Sequence, residues 1–178
     1  HMADATPLII KNRTLIADDW TVLRLHAGDT ADNVNIPEGK VIVPLIVWQA
    51  QQAKLRRRPD RGVWLACDES LDILRNDLDQ FAVIAINFPV FSDGRGYSLA
   101  YQLRARLGYR GELRAIGDVL RDQLFYLHRV GFDAFAPRPD RSIHDALKGL
   151  SDFSECYQTS WDQPLPLSER VTRKGVST

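Results

Sequence analysis

The feature that most constrains the fold is a regular alternation of apolar runs with helix-patterned segments from Gly62 onward. The run FAVIAINF, residues 81–88, is apolar at almost every position, which is typical of a strand covered on both faces. The runs GVWLAC, ELRAIG and FDAFAP repeat this pattern at 62–67, 112–117 and 132–137. This alternation predicts βαβ units and an α/β fold with a mostly parallel sheet flanked by helices. A doubly wound sheet and a partial β/α barrel share the pattern, so both stay open.

Leucine stripes between these runs predict the helices. The expected helices begin at Pro44, Ser70, near Gly94 and at Asp118, with glycine stops at Gly108 and Gly131 for the last two. Their inward positions are Leu45, Trp48, Gln52 and Leu55; Leu71, Leu74 and Leu78; Leu99, Leu103 and Leu107; and Leu120, Leu124 and Leu127. A short helix from Ser142 and a strand within FSECYQTSW would follow.

The first part of the chain predicts an N-terminal β-hairpin. Leu8–Ile10 and Thr14–Ala17 are apolar runs on either side of a polar turn, and a third apolar run covers Trp20–Leu25. We expect one α/β domain over residues 3–165, and a flexible tail over 166–178 because that segment is poor in apolar residues.

Composition limits the classes of partner. Lys plus Arg and Asp plus Glu both total 23, so the formal net charge is zero and no overall field attracts nucleic acid or an acidic membrane surface. No apolar run approaches the roughly 20 residues that span a bilayer. The two cysteines, Cys67 and Cys156, show no CxxC spacing. We therefore expect a cytoplasmic protein with reduced thiols that meets any charged ligand through a local site.

The best candidate for such a site is the segment FSDGRG, where a strand leads into a helix. Gly94 and Gly96 would allow positive φ and a close approach of backbone N–H groups, and Arg95 would offer a planar fork to an oxyanion. Ser92 and Asp93 belong to the same anion-binding corner. The alternative is that Asp93 caps the helix, the glycines shape a turn and Arg95 points into water.

A second candidate is the segment GDVLRDQ. Asp118 and Asp122 are four residues apart, so both carboxylates would face one cavity from a helix, where they could move protons. Arg121 would join the ligand-binding residues. Helix capping by Asp118 and a surface charge network are the simpler alternatives.

The motifs of the common cofactors and metals are missing from the sequence. There is no HxH or HExxH pattern, no GxGxxG and no Walker loop. Cys67 reads as a buried thiol at a strand end, because nothing near it in the sequence would lower the pKa of a thiol. We therefore predict no metal site and no resident cofactor.

The motifs FSDGRG, GELRA, GDVLRDQ and GFDAF together resemble a bacterial family, domain-of-unknown-function family 934. The resemblance extends from the N-terminal hairpin through most of the chain and excludes its end. Members of that family carry the label of oxidoreductases involved in sulfite reduction. The resemblance implies a place in assimilatory sulfur metabolism, since the family's genes characteristically lie beside that of sulfite reductase, and it supplies no catalytic residues.

Two functions follow as expectations. In the first, the chain is an accessory protein that acts with sulfite reductase. In the second, it is an enzyme or carrier for a small oxyanion such as sulfite, which is held by Arg95 and the Gly94 and Gly96 amides while Asp118 or Asp122 moves a proton. The oxidoreductase label has no cofactor motif to support it, so catalysis stays open, and a homodimer is compatible with the available helix faces.

Overall fold

A computed structural model describes residues 7–89, 94–119 and 124–137 of the chain. Within these residues, eight strands form one sheet in the order β2-β1-β8-β7-β6-β5-β4-β3. The strands are β1 (Leu8–Lys11), β2 (Thr14–Ala17), β3 (Trp20–Val22), β4 (Lys40–Pro44), β5 (Arg61–Ala66), β6 (Val83–Phe88), β7 (Glu112–Gly117) and β8 (Ala134–Pro137). The helices are α1 (Leu45–Ala50), α2 (Gln52–Leu55), α3 (Gly94–Tyr101) and α4 (Leu124–Arg129), with a π-helical turn at Gln102–Arg106 and 3₁₀ helices at Leu71–Ile73 and Leu78–Gln80.

The strand order decides between the two architectures that the sequence leaves open. From β3 to β8 each strand pairs in parallel with the next one along the chain. A doubly wound sheet needs a point where the strand order reverses, and no such point occurs among the described strands. The sheet is instead a curled half-barrel flanked by helices, mostly parallel but with antiparallel pairing at β1, β2 and β8.

The predicted hairpin is confirmed as β1 and β2. Its turn residues Asn12 and Arg13 have φ of 51° and 66°, the left-handed conformation that a two-residue hairpin turn requires. The third apolar run, predicted over Trp20–Leu25, forms a strand only at Trp20–Val22, and this strand pairs with β4.

Only Asp18 and Asp19 lie between β2 and β3, which are the two edges of the sheet. Consecutive Cα atoms are about 3.8 Å apart, so the ends of these edge strands can be no more than about 11 Å apart. The two edges of an eight-stranded sheet therefore meet at this corner, which forces the sheet to curl.

Helix boundaries differ from the sequence prediction at three places. Pro44 ends β4 with extended geometry and precedes α1 rather than starting it. The single helix expected up to Leu55 is divided at Gln51, whose buried amide Nε2 donates to the carbonyl oxygens of Ala31 and Val34 and so holds the preceding loop. The helix expected after Ser70 is two 3₁₀ turns, because a spacing of three between buried Leu71 and Leu74 fits a 3₁₀ helix.

Other helix predictions are confirmed. Ser70 caps its 3₁₀ turn, since its Oγ accepts a hydrogen bond from the backbone N–H of Asp72. Gly108 and Gly131 follow their helices with φ of 73° and 118°. The helix and strand predicted after residue 137, and the boundary between domain and tail, lie outside the described residues.

The two faces of the sheet differ in what covers them. The outer face packs against the helices through one large core, which includes residues from every parallel strand except β3. The inner, concave face holds a smaller apolar cluster of Ile42, Val83, Ala85 and Ile116, against which Trp20, Val22, Trp64 and Ala136 pack. The parallel strands follow one another in one direction across the sheet, so right-handed crossovers place the helices on one face.

A buried ionic network lies on the inner face, beside the link of Asp18 and Asp19 between the sheet edges. The Arg114 guanidinium donates through Nη1 to both carboxylate oxygens of Asp18, at 3.0 and 3.1 Å, and through Nε to Glu112 at 2.7 Å. Lys11 completes the network with a 3.0 Å ion pair to Glu112. Two acids and two bases balance each other, and the network joins β7 and β1 to the link between the sheet edges.

A second buried arginine ties the connection between α3 and β7 to β8. Arg104 donates to the carbonyl oxygens of Gly131, Tyr109 and Gly111 at 2.9, 3.0 and 2.7 Å, and it lies 3.5 Å from the Asp133 carboxylate. Burial raises the pKa of Asp133. The ion pair is thus one of several contacts that satisfy the buried guanidinium.

We predict that Arg104→Met lowers the free energy of unfolding by about 3 to 5 kcal/mol, because it leaves three carbonyl oxygens without this donor and the half-buried Asp133 carboxylate without its positive partner. Arg106→Met, an equal charge change at an exposed position of the same π-helical turn, should change it by less than about 0.5 kcal/mol. Urea denaturation of both variants measures the difference. Equal losses would contradict the structural role of Arg104.

Candidate functional site

The carboxyl ends of β5, β6 and β7 bring three of the predicted segments to one edge of the sheet. Cys67 follows β5, the FSDGRG segment follows β6 and Asp118 follows β7. The backbone N–H of Asp118 donates to the carbonyl oxygen of Phe88 at 2.7 Å, so the first residue after β7 is fixed against the end of β6. Ligands of parallel β/α folds gather at this edge, because loops and helix N-termini converge there.

The conformation expected of the two glycines in this corner is wrong. Gly94 and Gly96 both lie within α3, and neither is among the described glycines with positive φ. Their function in the chain must therefore come from the missing side chain and from their place in the first helical turn, where backbone N–H groups lack partners within the helix.

Gly96 is required for close packing between α3 and the sheet. A Cβ at this position would lie 2.3 Å from the ring of Phe88 and 3.0 Å from the Cys67 sulfur. The Phe88 ring is held by Tyr97 and Phe132, with ring centroids at 5.6 and 5.9 Å. The space in front of the Gly96 Cα is thus filled by the side chains of Phe88 and Cys67.

Cys67 is the buried strand-end thiol that the sequence predicts. Its Sγ–H donates to the carbonyl oxygen of Asn87 at 3.2 Å. Burial raises the pKa of neighbouring Tyr97, so its phenol favours the neutral form.

Gly94 and Arg95 are exposed at the start of α3. A Cβ at position 94 would meet nothing within 4 Å, in contrast to position 96. The exposed surface of the corner is therefore formed by the first two helical residues, and Arg95 carries the positive charge there.

Asp118 is half-buried in a tight turn at the end of β7. Gly117 has φ of 90°, and the N–H of Val119 donates back to the carbonyl oxygen of Gly117 at 2.9 Å. A Cβ at Gly117 would lie 2.5 Å from the Phe88 carbonyl oxygen and 2.8 Å from Asn87 Oδ1. Glycine at this position therefore allows the ends of β6 and β7 to approach each other.

The remaining predicted site residues, Ser92, Asp93, Arg121 and Asp122, lie outside the described residues. The structure thus brings Asp118 to the edge from which α3 starts, while the proposed pairing of Asp118 with Asp122 stays a prediction. So does the role of Asp118 as a helix cap.

Sequence reasoning missed a cluster on the inner face at the same edge of the sheet. Arg24 places its Cζ 5.2 Å from the ring centroid of Trp64 and donates through Nη2 to Asn87 Oδ1 at 3.0 Å. Desolvation lowers the pKa of Arg24 from its ordinary value, although part of the side chain is exposed to solvent. The only sequence signal was the two-residue period of a strand. Trp64 and Ala66 share one face of β5, Ala85 and Asn87 share one face of β6, and Trp64 and Asn87 therefore both lie on the inner face.

A polar cavity of about 410 Å³ lies on the outer layer, between the 3₁₀ turn at Leu71–Ile73 and the α3 and π-helical segment. Its charged lining residues are Glu69, Asp72, Arg75 and Arg106. Arg75 already pairs with Asp72 at 3.1 Å, and Glu69 accepts the backbone N–H of Ala66 at 2.7 Å. Its described lining residues do not include Gly94, Arg95, Gly96 or Asp118.

Within residues 7–89, 94–119 and 124–137, no three potential metal-ligating side chains lie close enough to share an ion. None of the helices in those ranges has the length and apolar character that a membrane span requires.

The model of the family DUF934, described as a bacterial protein of unknown function, matches residues 62–168. The chain belongs to DUF934. The DUF934 match begins at β5 and includes Trp64, Asn87, the α3 glycines and Asp118, whereas Arg24 and the hairpin precede it. No curated protein and no solved structure matches the chain.

We predict that Gly96→Ala destabilises this DUF934 protein by about 1 to 3 kcal/mol, because the added methyl group overlaps the Phe88 ring. Gly94→Ala, two residues earlier in the same helix, should be neutral or stabilise by up to about 1 kcal/mol, since space is open and alanine favours a helix. Thermal and urea denaturation test the pair. An equal effect of the two substitutions would contradict the packing role of Gly96.

Proposed function

We propose that this protein is an accessory protein of assimilatory sulfite reduction that acts with sulfite reductase. Membership of DUF934 carries the proposal, because the resemblance of FSDGRG, GELRA, GDVLRDQ and GFDAF to that family implies association with sulfite reductase. The oxidoreductase label of the family rests on the same association.

The outer helical layer is the surface that we expect to contact the enzyme. Three successive connections between parallel strands each expose one large apolar side chain: Ile46 on α1, Ile73 on the 3₁₀ turn and Tyr101 on α3. Their exposed fractions are 46%, 41% and 43%. Apolar side chains on one layer support association with a protein partner better than scattered ones do.

A second candidate function is binding of a small oxyanion such as sulfite by an enzyme or carrier. The observation that favours it is the exposed Arg95 in the first turn of α3, on the edge of the sheet where Asp118 is fixed against β6. A guanidinium and a helix N-terminus both favour anions. We expect Gly94, Gly96, Ser92, Asp93 and Arg121 to contribute to this site, with Asp118 and Asp122 as acid and base.

We predict that the purified protein forms a complex with purified sulfite reductase from the same organism. Replacing Ile46 and Tyr101 by serine should weaken the complex at least tenfold, because two exposed apolar contacts are lost. Leu8→Ser, at an equally exposed position of the hairpin, is the control and should not change the affinity. Surface plasmon resonance measures all three. The absence of a complex, with or without sulfite, would exclude this function.

We also predict that sulfite raises the melting temperature of the wild type at constant ionic strength, since binding to the folded state alone stabilises it by about 2.7 kcal/mol at 100 times Kd. Arg95→Ala should lose this shift, while Arg106→Ala, exposed later in the same helical segment, should keep it. Sulfate, phosphate and acetate serve as competing anions. A sulfite shift of unchanged size in Arg95→Ala would rule out the proposed Arg95 site.

A further inference from the structure

The cluster of Arg24, Trp64 and Asn87 lies at the carboxyl end of the inner face of the half-barrel. Trp64 pairs with Ala85 in the register of β5 and β6, and Asn87 pairs with Ala66 two residues further along the same strands. Both side chains therefore point to the inner face. Arg24 reaches them from the segment that follows β3, so its side chain crosses over β4 and β5 to meet β6.

Backbone contacts fix the position from which Arg24 extends. The N–H of Leu23 donates to the carbonyl oxygen of Ile42, which prolongs the pairing of β3 with β4 by one residue. The carbonyl oxygen of Leu23 accepts the Trp64 indole Nε1–H at 2.9 Å. Trp64 therefore holds the backbone just before Arg24 by its nitrogen and carries the guanidinium over its ring.

The charge of Arg24 has no acidic partner among the described residues. Its one hydrogen bond is to the neutral amide oxygen of Asn87, and no carboxylate in the described ranges lies within ion-pair distance. The two buried arginines differ in this respect, since Arg114 meets Asp18 and Glu112, and Arg104 meets Asp133.

The cluster offers donors rather than acceptors. A guanidinium has five N–H groups in a planar fork, and the bond to Asn87 uses one of them. The Asn87 amide accepts through Oδ1, so its Nδ2 group remains available as a donor. Stacking on Trp64 restricts the guanidinium, so less conformational entropy is lost when a ligand binds.

We propose that Arg24 and Asn87 bind a small oxyanion at the mouth of the half-barrel, with Trp64 holding the guanidinium in place. The ligand chemistry is a group with at least two oxygens on one centre, either a free inorganic ion or the charged end of a larger organic molecule. The site faces the concave side of the sheet, whereas α3 with Arg95 packs on the outer side. The proposal is independent of the Arg95 site and of any complex with sulfite reductase.

The test is isothermal titration calorimetry of the full chain with sulfite, inorganic phosphate and phenyl phosphate at constant ionic strength. We expect binding of at least one of them to the wild type. Arg24→Gln should weaken it at least tenfold, and Arg24→Lys should weaken it less, because a lysine keeps the charge without the fork. Tighter binding of phenyl phosphate than of phosphate would identify an organic ligand, and equal or weaker binding a free ion.

Two controls separate this site from other causes. Arg57→Gln removes an exposed positive charge near the amino end of β5 and should leave the affinity unchanged. Arg95→Gln separates the two anion sites: if Arg95→Gln abolishes binding while Arg24→Gln does not, the anion belongs to the start of α3 and the present proposal is overturned. Absence of binding, or equal affinities in wild type and Arg24→Gln, also overturns it. Melting temperatures confirm that each variant is folded.

Discussion

The two-residue link of Asp18 and Asp19 is the constraint on which the remaining structure depends. It joins the two edges of an eight-stranded sheet, and chain length alone forces those edges together. Asp18 is also fixed from the opposite side by Arg114 of β7, which is itself held by Glu112. The covalent link and the buried ion network thus act at one corner, and the curvature of the sheet follows from both.

The two faces of the curved sheet differ in chemistry: the outer face is covered by apolar packing, and the concave face also holds charged side chains. Between helices and sheet, packing is apolar and close, to the extent that Gly96 leaves no room for a methyl group against Phe88. On the concave side, charged groups lie at two places. Arg114 and its partners lie beside the link between the sheet edges, and Arg24 lies over Trp64 near the carboxyl ends of the strands. The charges of the first group balance each other, whereas Arg24 meets no carboxylate among the described residues and keeps donors for a ligand on the concave face.

The sequence predicted the elements whose evidence is local. Continuous apolar runs located β5, β6 and β7, and the glycines at 108 and 131 located helix ends. It could not choose between a doubly wound sheet and a partial barrel, since each strand reads the same in both. It also missed buried Arg104 and the Arg24 cluster, because an arginine in a polar stretch gives no sign of partners far along the chain. The alternation of Glu112 and Arg114 in β7 did contain the information that both share one face.

The curled geometry has a consequence for how this chain behaves at high concentration. Strand edges attract other strands, because their backbone N–H and C=O groups seek partners, and long flat edges promote aggregation. Here the edge strands β2 and β3 have only four and three residues, and the link between them turns each edge toward the other. The same corner that shapes the barrel thus protects its open seam from self-association through added strands.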